Sequence, residues 1–246
     1  MHAGIRVLRS DMVLTGPAGL GSDICPGNGL NYMIISPQRN FIFVHIRKTA
    51  GTAVTRAYDR VALYDDIILG STPHGDAVEA YYRDRFNLRK HSGLLTLAEV
   101  MGIDRLENAF TFATVRNPWA WVVSYYTSAR KRDEGGNGIS DAARSLDFSR
   151  FLQSEEVETL ARRNPQYKYV CDEMGELAVD LLIRQENLGA DWAELCDRLG
   201  ITGVSLSVEN RSTEGDWHEF YKSKADIERV QELFGRDAEM FGYRFE

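Results

Sequence analysis

The sequence predicts a three-layer α/β/α fold around a central, mainly parallel sheet, and three observations carry that prediction. Short apolar runs rich in β-forming residues occur at Phe41 to Ile46, Phe110 to Val115 and Ala178 to Ile183. They lack the polar alternation of a half-exposed strand, as expected where helices cover both faces of a sheet. Each run is followed by residues with helical spacing or helix-start chemistry, and strands that alternate with helices point to parallel pairing. The first run also leads into a glycine-containing loop and then a helix, the P-loop-like opening of many nucleotide-binding α/β folds.

The elements follow in order. Residues 1–32, with many Gly, Pro, Ser and Asn between positions 15 and 31, read as a flexible N-terminal extension, and 33–246 as a single domain. After the strand at Phe41, residues Val54, Tyr58 and Val61 recur at helical spacing and predict a helix that packs back on it. Asp65 to His91 has weak periodicity, with Pro73-His74-Gly75 as turn chemistry, and reads as irregular with one short helix. Thr96 and Glu99 form a capping box for a short helix at about 97–101, which Gly102 ends. Asn117 caps, and Pro118 starts, a helix that follows the second strand to about Arg130.

Beyond it, Asp133 to Gly138 reads as a flexible loop, and Asp147 to Gln153 as a short capped helix. Asn164-Pro165-Gln166 breaks the chain, and a helix from about Asp191 to Leu199 follows the third strand. A last helix starts near Ala225, capped by Ser223 and Asp226, with Ile227, Val230 and Phe234 as its buried stripe. No internal repeat or low-complexity tract is present.

Composition narrows the function classes. Hydrophobic residues at 43% and charged residues at 26% are ordinary globular values. A formal net charge of -7 argues against general adhesion to DNA or an anionic membrane, so an anion must be held by a local cluster of cations. Cys25, Cys171 and Cys196 are far apart and without metal-ligand spacing, which predicts reduced thiols and no metal site. No signal segment or bilayer-length apolar stretch is evident, and the expectation is a cytoplasmic protein without membrane insertion or nucleic-acid partner. The oligomeric state stays open.

A phosphate or sulfate group needs backbone N–H donors at a helix N-terminus, a nearby cation and hydroxyls. Lys48-Thr49-Ala50-Gly51-Thr52 offers all three at the C-terminal end of a strand, where ligands of open α/β sheets bind. The second strand ends in Arg116, and Ser124 lies about two helical turns into the helix that Asn117 starts. Two anion sites on two strand ends imply a ligand with two separated phosphates.

The run Phe41 to Thr52 resembles the 5'-phosphosulfate loop of the carbohydrate sulfotransferases and their soluble bacterial relatives, the sulfotransferase family 2 type. Val115 to Trp119 with Ser124-Tyr125-Tyr126 resembles their 3'-phosphate motif. Lys90-His91, Asn164-Pro165-Gln166, Arg184 to Leu188 and Phe241-Gly242-Tyr243 extend the likeness over about Met33 to Glu246. The resemblance implies 3'-phosphoadenosine 5'-phosphosulfate as donor and no metal. Arg47, Lys48, Thr49, Ala50, Gly51 and Thr52 would bind its 5' end, and Arg116 with Ser124 its 3'-phosphate. It also implies a hydroxyl acceptor, with carbohydrate as the prior. Two departures stand out: Arg47 replaces the usual Pro, and Ala120-Trp121 replaces a frequent Asp-Arg.

In-line sulfuryl transfer needs a cation for the developing charge, which suits Lys48, and a base for the acceptor proton. Of five histidines, His91 occupies the place from which the family's acceptor-side His acts, and His74 is the reserve. His45, inside the first strand, reads as a core or supporting residue. Arg83, Arg85, Arg89 and Lys90 read as a solvated charged face, with an acidic acceptor as the other reading, and Glu186 as a residue that orders loops, with a catalytic role as the other reading. A P-loop kinase or NTPase is the rival enzyme, but the Walker pattern places its Lys after the loop glycines, and here Lys48 precedes Gly51. A nucleotide-binding protein without transfer activity is the rival from another class.

Overall fold

The computed structural model describes residues 33–131, 138–206 and 216–246. The expected extension 1–32 and nearly all of the loop expected at 133–138 lie outside the described residues.

Five strands form one sheet: β1 (Met33–Ser36), β2 (Phe41–Val44), β3 (Ile67–Leu69), β4 (Phe110–Val115) and β5 (Leu181–Arg184), in the order β3-β1-β2-β4-β5. β2, β4 and β5 pair in parallel, while β1 is antiparallel to both β2 and β3. Four strands therefore run one way and β1 runs against them, so the sheet is mainly parallel as expected. β1 reverses into β2 through a tight turn at 37–40, where Asn40 takes a left-handed φ of 50° that its short polar side chain tolerates.

Opposite faces of each strand feed different helical layers. Phe41 and Phe43 pack with Phe112 and Ile183 against Val54 and Tyr58 of α1 (Gly51–Asp59) and Trp192 and Leu195 of α9 (Leu188–Arg198). Ile42, Val44, Ala113 and Val115 face the other way, onto Leu94 and Leu97 of α3 (Leu94–Met101), Leu106 of α4 (Ile103–Asn108) and Phe241 of α10 (Lys224–Phe241). That alternation makes the three-layer α/β/α arrangement. A further core gathers α5 (Pro118–Arg130), α6 (Gly138–Ser145), α7 (Phe148–Leu152) and α8 (Glu155–Arg163) against α10. No helix among the described residues is long and apolar enough to cross a membrane.

Several expected bounds match closely. Asn117 accepts from the Trp119 N–H, Pro118 opens α5, and Ser223 with Asp226 forms a reciprocal capping box on α10. Two expectations need correction. Residues 65–91 are ordered as β3 and the 14-residue α2 (Pro73–Phe86). Thr72 caps the Gly75 N–H and Pro73 takes the first turn, so Pro-His-Gly opens a helix instead of a turn. Gly75 is the sole buried residue of α2, and Val78 and Tyr82 pack half-buried on the core, so the apolar stripe is thin. The second correction concerns Thr96: α3 starts earlier, behind Gly93 and with no side-chain cap.

Candidate active site

Between β2 and α1 the backbone makes a tight reversal. Lys48 and Ala50 both adopt left-handed conformations, with φ of 64° and 70°. Each costs a non-glycine residue on the order of 1–3 kcal/mol, a strain that concentrates at ligand-binding loops. Ala50 is the N-cap of α1, and it brings no side-chain acceptor and the first turn no acidic residue. The positive end of α1 is thus uncapped by any side chain, which suits an anion.

The loop is held from below. Thr49 is fully buried, its hydroxyl donating to the Ile46 carbonyl at 2.8 Å and lying 2.8 Å from the Thr114 hydroxyl on β4. Its hydroxyl ties loop to sheet. Gly51 has a specific steric reason: a Cβ there would lie 1.9 Å from Cδ2 of His45. Sequence reasoning assigned this glycine to close approach of an anion; the neighbour it admits in the fold is the His45 ring. Thr52 is half-buried in the first turn of α1.

The departures from the family pattern also have places. Trp121, fully buried on α5, donates its Nε1–H to the Arg47 carbonyl at 2.6 Å and so pins the loop to that helix. Trp121→Phe leaves that carbonyl without its donor and is expected to lower the unfolding free energy by about 1–3 kcal/mol. Denaturant titration checks this, and an unchanged midpoint refutes it.

Arg116, at the end of β4, lies beside the same loop, with Nη1 3.5 Å from the Lys48 carbonyl. Its Nε is buried without a hydrogen-bond partner among the described residues. Burial pushes its pKa down, and Glu186 works against that shift. Its backbone is clamped by Gln166, which accepts from the Arg116 N–H at 3.0 Å and donates to its carbonyl at 2.9 Å. Asp237 holds Gln166 in turn, its two oxygens accepting from the Gln166 and Tyr167 N–H groups.

Glu186 accepts from the Asn117 N–H at 2.9 Å and the Tyr243 hydroxyl at 2.8 Å, which is the loop-ordering role read from its position. Arg184 donates to the Phe241 carbonyl at 2.7 Å and stacks 4.8 Å from the Tyr243 ring. Ser124 is nearly buried on α5. It is about 9 Å along the helix from Pro118, at 1.5 Å per residue.

His91 approaches from the segment before α3. Its Nδ1 lies 2.8 Å from the His45 carbonyl, and its ring centre is 4.8 Å from that of His45. A carbonyl only accepts, so Nδ1 carries the proton and the neutral ring presents Nε2 with its lone pair. Burial first, then the charges of His45 and Arg47, push the His91 pKa well below the ordinary imidazole range. His74 sits exposed at the start of α2.

The basic cluster splits. Arg83 and Arg85 are exposed on α2, whereas Lys90 is fully buried beside His91, a correction to its reading as part of a solvated face. Burial pushes the Lys90 ammonium down to about 7; the Arg47 charge acts in the same direction, against Glu79 and Asp76. Adjacency to His91 was the sequence signal that could have set Lys90 apart.

The fold and site define an α/β protein that brings an uncapped helix N-terminus, Lys48 and Arg116 together at the C-terminal ends of β2 and β4. The model of the Sulfotransferase family matches residues 31–244, and the chain belongs to that family. No curated protein and no solved structure matches it.

Proposed function

We propose that the protein transfers the sulfuryl group of 3'-phosphoadenosine 5'-phosphosulfate to an acceptor hydroxyl, with carbohydrate as the acceptor class and the cytoplasm as its place. Sulfotransferase chemistry in general follows from the family. The observation that carries the two-phosphate reading is Arg116, a half-buried residue whose enclosed Nε has no partner among the described residues, next to the loop at Lys48 to Thr52. A buried cation short of acceptors is stabilised by an anionic ligand.

In this reading the N–H groups at the start of α1, with Lys48 and Thr52, hold the sulfated 5' end, and Arg116 with Ser124 holds the 3'-phosphate. The donor supplies an activated sulfuryl group: the bond from sulfur to the acceptor oxygen forms while the bond from sulfur to the 5'-phosphate oxygen breaks. Lys48 offsets the charge that develops on the transferred and leaving oxygens. His91 Nε2 takes the acceptor proton, and the His45 carbonyl keeps that nitrogen bare.

Adenosine 3',5'-bisphosphate tests the reading. At about one hundred times its dissociation constant it is expected to raise the melting temperature on the order of 5–10 °C. ATP is expected to raise it less. Equal or reversed shifts remove the sulfotransferase donor and favour the kinase or NTPase reading.

The pH profile tests the base. Below the folded-state pKa of His91 the ring is charged and cannot take a proton, so activity is lost as pH falls through that value. Because burial, His45, Arg47 and Lys90 all disfavour the charged ring, the acid limb of kcat/KM is expected below the ordinary 6.5. Tyr169, the aromatic neighbour from the 3-10 turn Gln166–Tyr169, is held neutral there by burial. A limb at or above 6.5 in the free enzyme refutes His91 as the group reported.

A further inference from the structure

His45 is buried at the end of β2, and two independent contacts converge on it. Its ring occupies the space in front of Gly51, the first residue of α1, so closely that a Cβ at Gly51 would lie 1.9 Å from Cδ2 and 2.2 Å from Nε2. Its backbone carbonyl accepts from Nδ1–H of His91 at 2.8 Å, 46 residues away in sequence. Behind it, the ring stacks on Phe43, with centres 5.8 Å apart and planes at 20°, so its position is set by the strand's own core. One residue therefore touches both the loop that opens α1 and the histidine that faces it.

We propose that His45 is a positioning residue that couples the anion loop to His91: its ring fills the room left by Gly51, and that packing aims the His45 carbonyl that holds His91 with Nδ1 protonated. The inference rests on reading His91 as the base, since only then does the bare Nε2 matter for transfer.

The coupling has a steric half and a hydrogen-bonding half. A methyl group at Gly51 must displace the His45 ring, because its three nearest atoms all belong to that ring and the first lies at 1.9 Å. Because Phe43 backs the ring on its other side, the displacement is shared by the His45 Cα, and a shifted Cα moves the carbonyl attached to it. His91 then loses the acceptor that selects its tautomer, and Nε2 becomes protonated in part of the population. His45→Phe keeps a ring of similar size stacked on Phe43 and keeps the carbonyl, so it retains the steric half.

Long-range nitrogen–proton spectra of histidine-labelled protein without nucleotide read the tautomer directly. At neutral pH the wild-type His91 is expected with the Nδ1-protonated form at least about tenfold in excess, as a buried hydrogen bond to a carbonyl produces. Gly51→Ala is expected to collapse that excess to about threefold or less, while His45→Phe retains it.

In the His45→Ala background the added methyl has room, so Gly51→Ala there is expected to cost nothing further in tautomer or in melting temperature. An unchanged tautomer in Gly51→Ala, its loss in His45→Phe, or the same cost of Gly51→Ala in both backgrounds overturns the proposal. Should Gly51→Ala not fold alone, the double variant must fold and match His45→Ala; a double variant that also fails to fold overturns it. These spectra need no donor, so their outcome is separate from the nucleotide melting shift on which the sulfotransferase reading stands or falls.

Discussion

Lys48→Ala is expected to lower the turnover of sulfuryl transfer by about 10²–10³-fold, the loss seen when one preorganised donor to a developing anion is removed. The residue sits at the end of β2 in a left-handed backbone conformation, next to the helix N-terminus and within the loop that Arg116 and Trp121 hold by its carbonyls. Those carbonyls survive the substitution. Stability is therefore expected to change by about 0.5 kcal/mol or less, as for a half-buried side chain outside the core. Single-turnover kinetics with saturating donor, beside a denaturant titration, separate the two effects. Normal turnover would falsify the role of Lys48, and a loss of turnover that tracks a loss of folding would assign it to structure.

His91→Ala is expected to reduce transfer by about 10²–10⁴-fold, the range for removing a positioned general base. It should leave the melting shift caused by adenosine 3',5'-bisphosphate nearly intact, because His91 bonds the strand end and not the groups at Arg116. That split between kcat and ligand binding is what distinguishes a base from a residue that shapes the nucleotide site. An active His91→Ala protein moves the base to His74, which is exposed at the start of α2 and outside the cluster formed by His45, Arg47, Lys90 and His91. Lys90, buried and pushed down to about 7, is then the neighbour whose charge state needs following in the same profiles.

Much of the fold was legible because its signals are short-range. β4 was read at its full extent, and the start of α5 followed from the chemistry of Asn117 and Pro118 alone. α10 announced itself through Ser223 and Asp226. α8 carries comparable signals, a Ser154 cap with acidic residues in its first turn and Arg162 and Arg163 in its last, directly before the Asn164-Pro165 break. α2 was different in kind: Gly75 is its sole buried residue, and Val78 and Tyr82 pack on the core only half-buried, so its apolar stripe is thin.

The residues singled out for the site divide in the same way. Arg116 lies beside the Lys48 carbonyl, and Arg47 is pinned through its own carbonyl. Thr49 looked like a ligand hydroxyl, but its side chain is engaged inside the sheet, a choice that depends on Thr114, 65 residues away. Lys90 looked like one more surface cation in a basic run, and only the packing around the segment before α3 encloses it.

By itself, then, the sequence determined the three-layer class, the strand, loop and helix over Phe41–Asp59, and the placement of Arg116 at a second strand end. These depend on local hydrophobic period, capping and backbone sterics, all written in short stretches of consecutive residues. Tertiary structure alone decided that Gly51 makes room for His45, that His91 presents Nε2, and that Gln166, Glu186 and Tyr243 brace Arg116 and Asn117. The hydrogen bonds among these join polar groups 46 to 69 residues apart, while Gly51 meets His45 across the loop itself. Which partner satisfies a buried donor is settled by the packing that excludes water from it, and packing is not a property of any one segment.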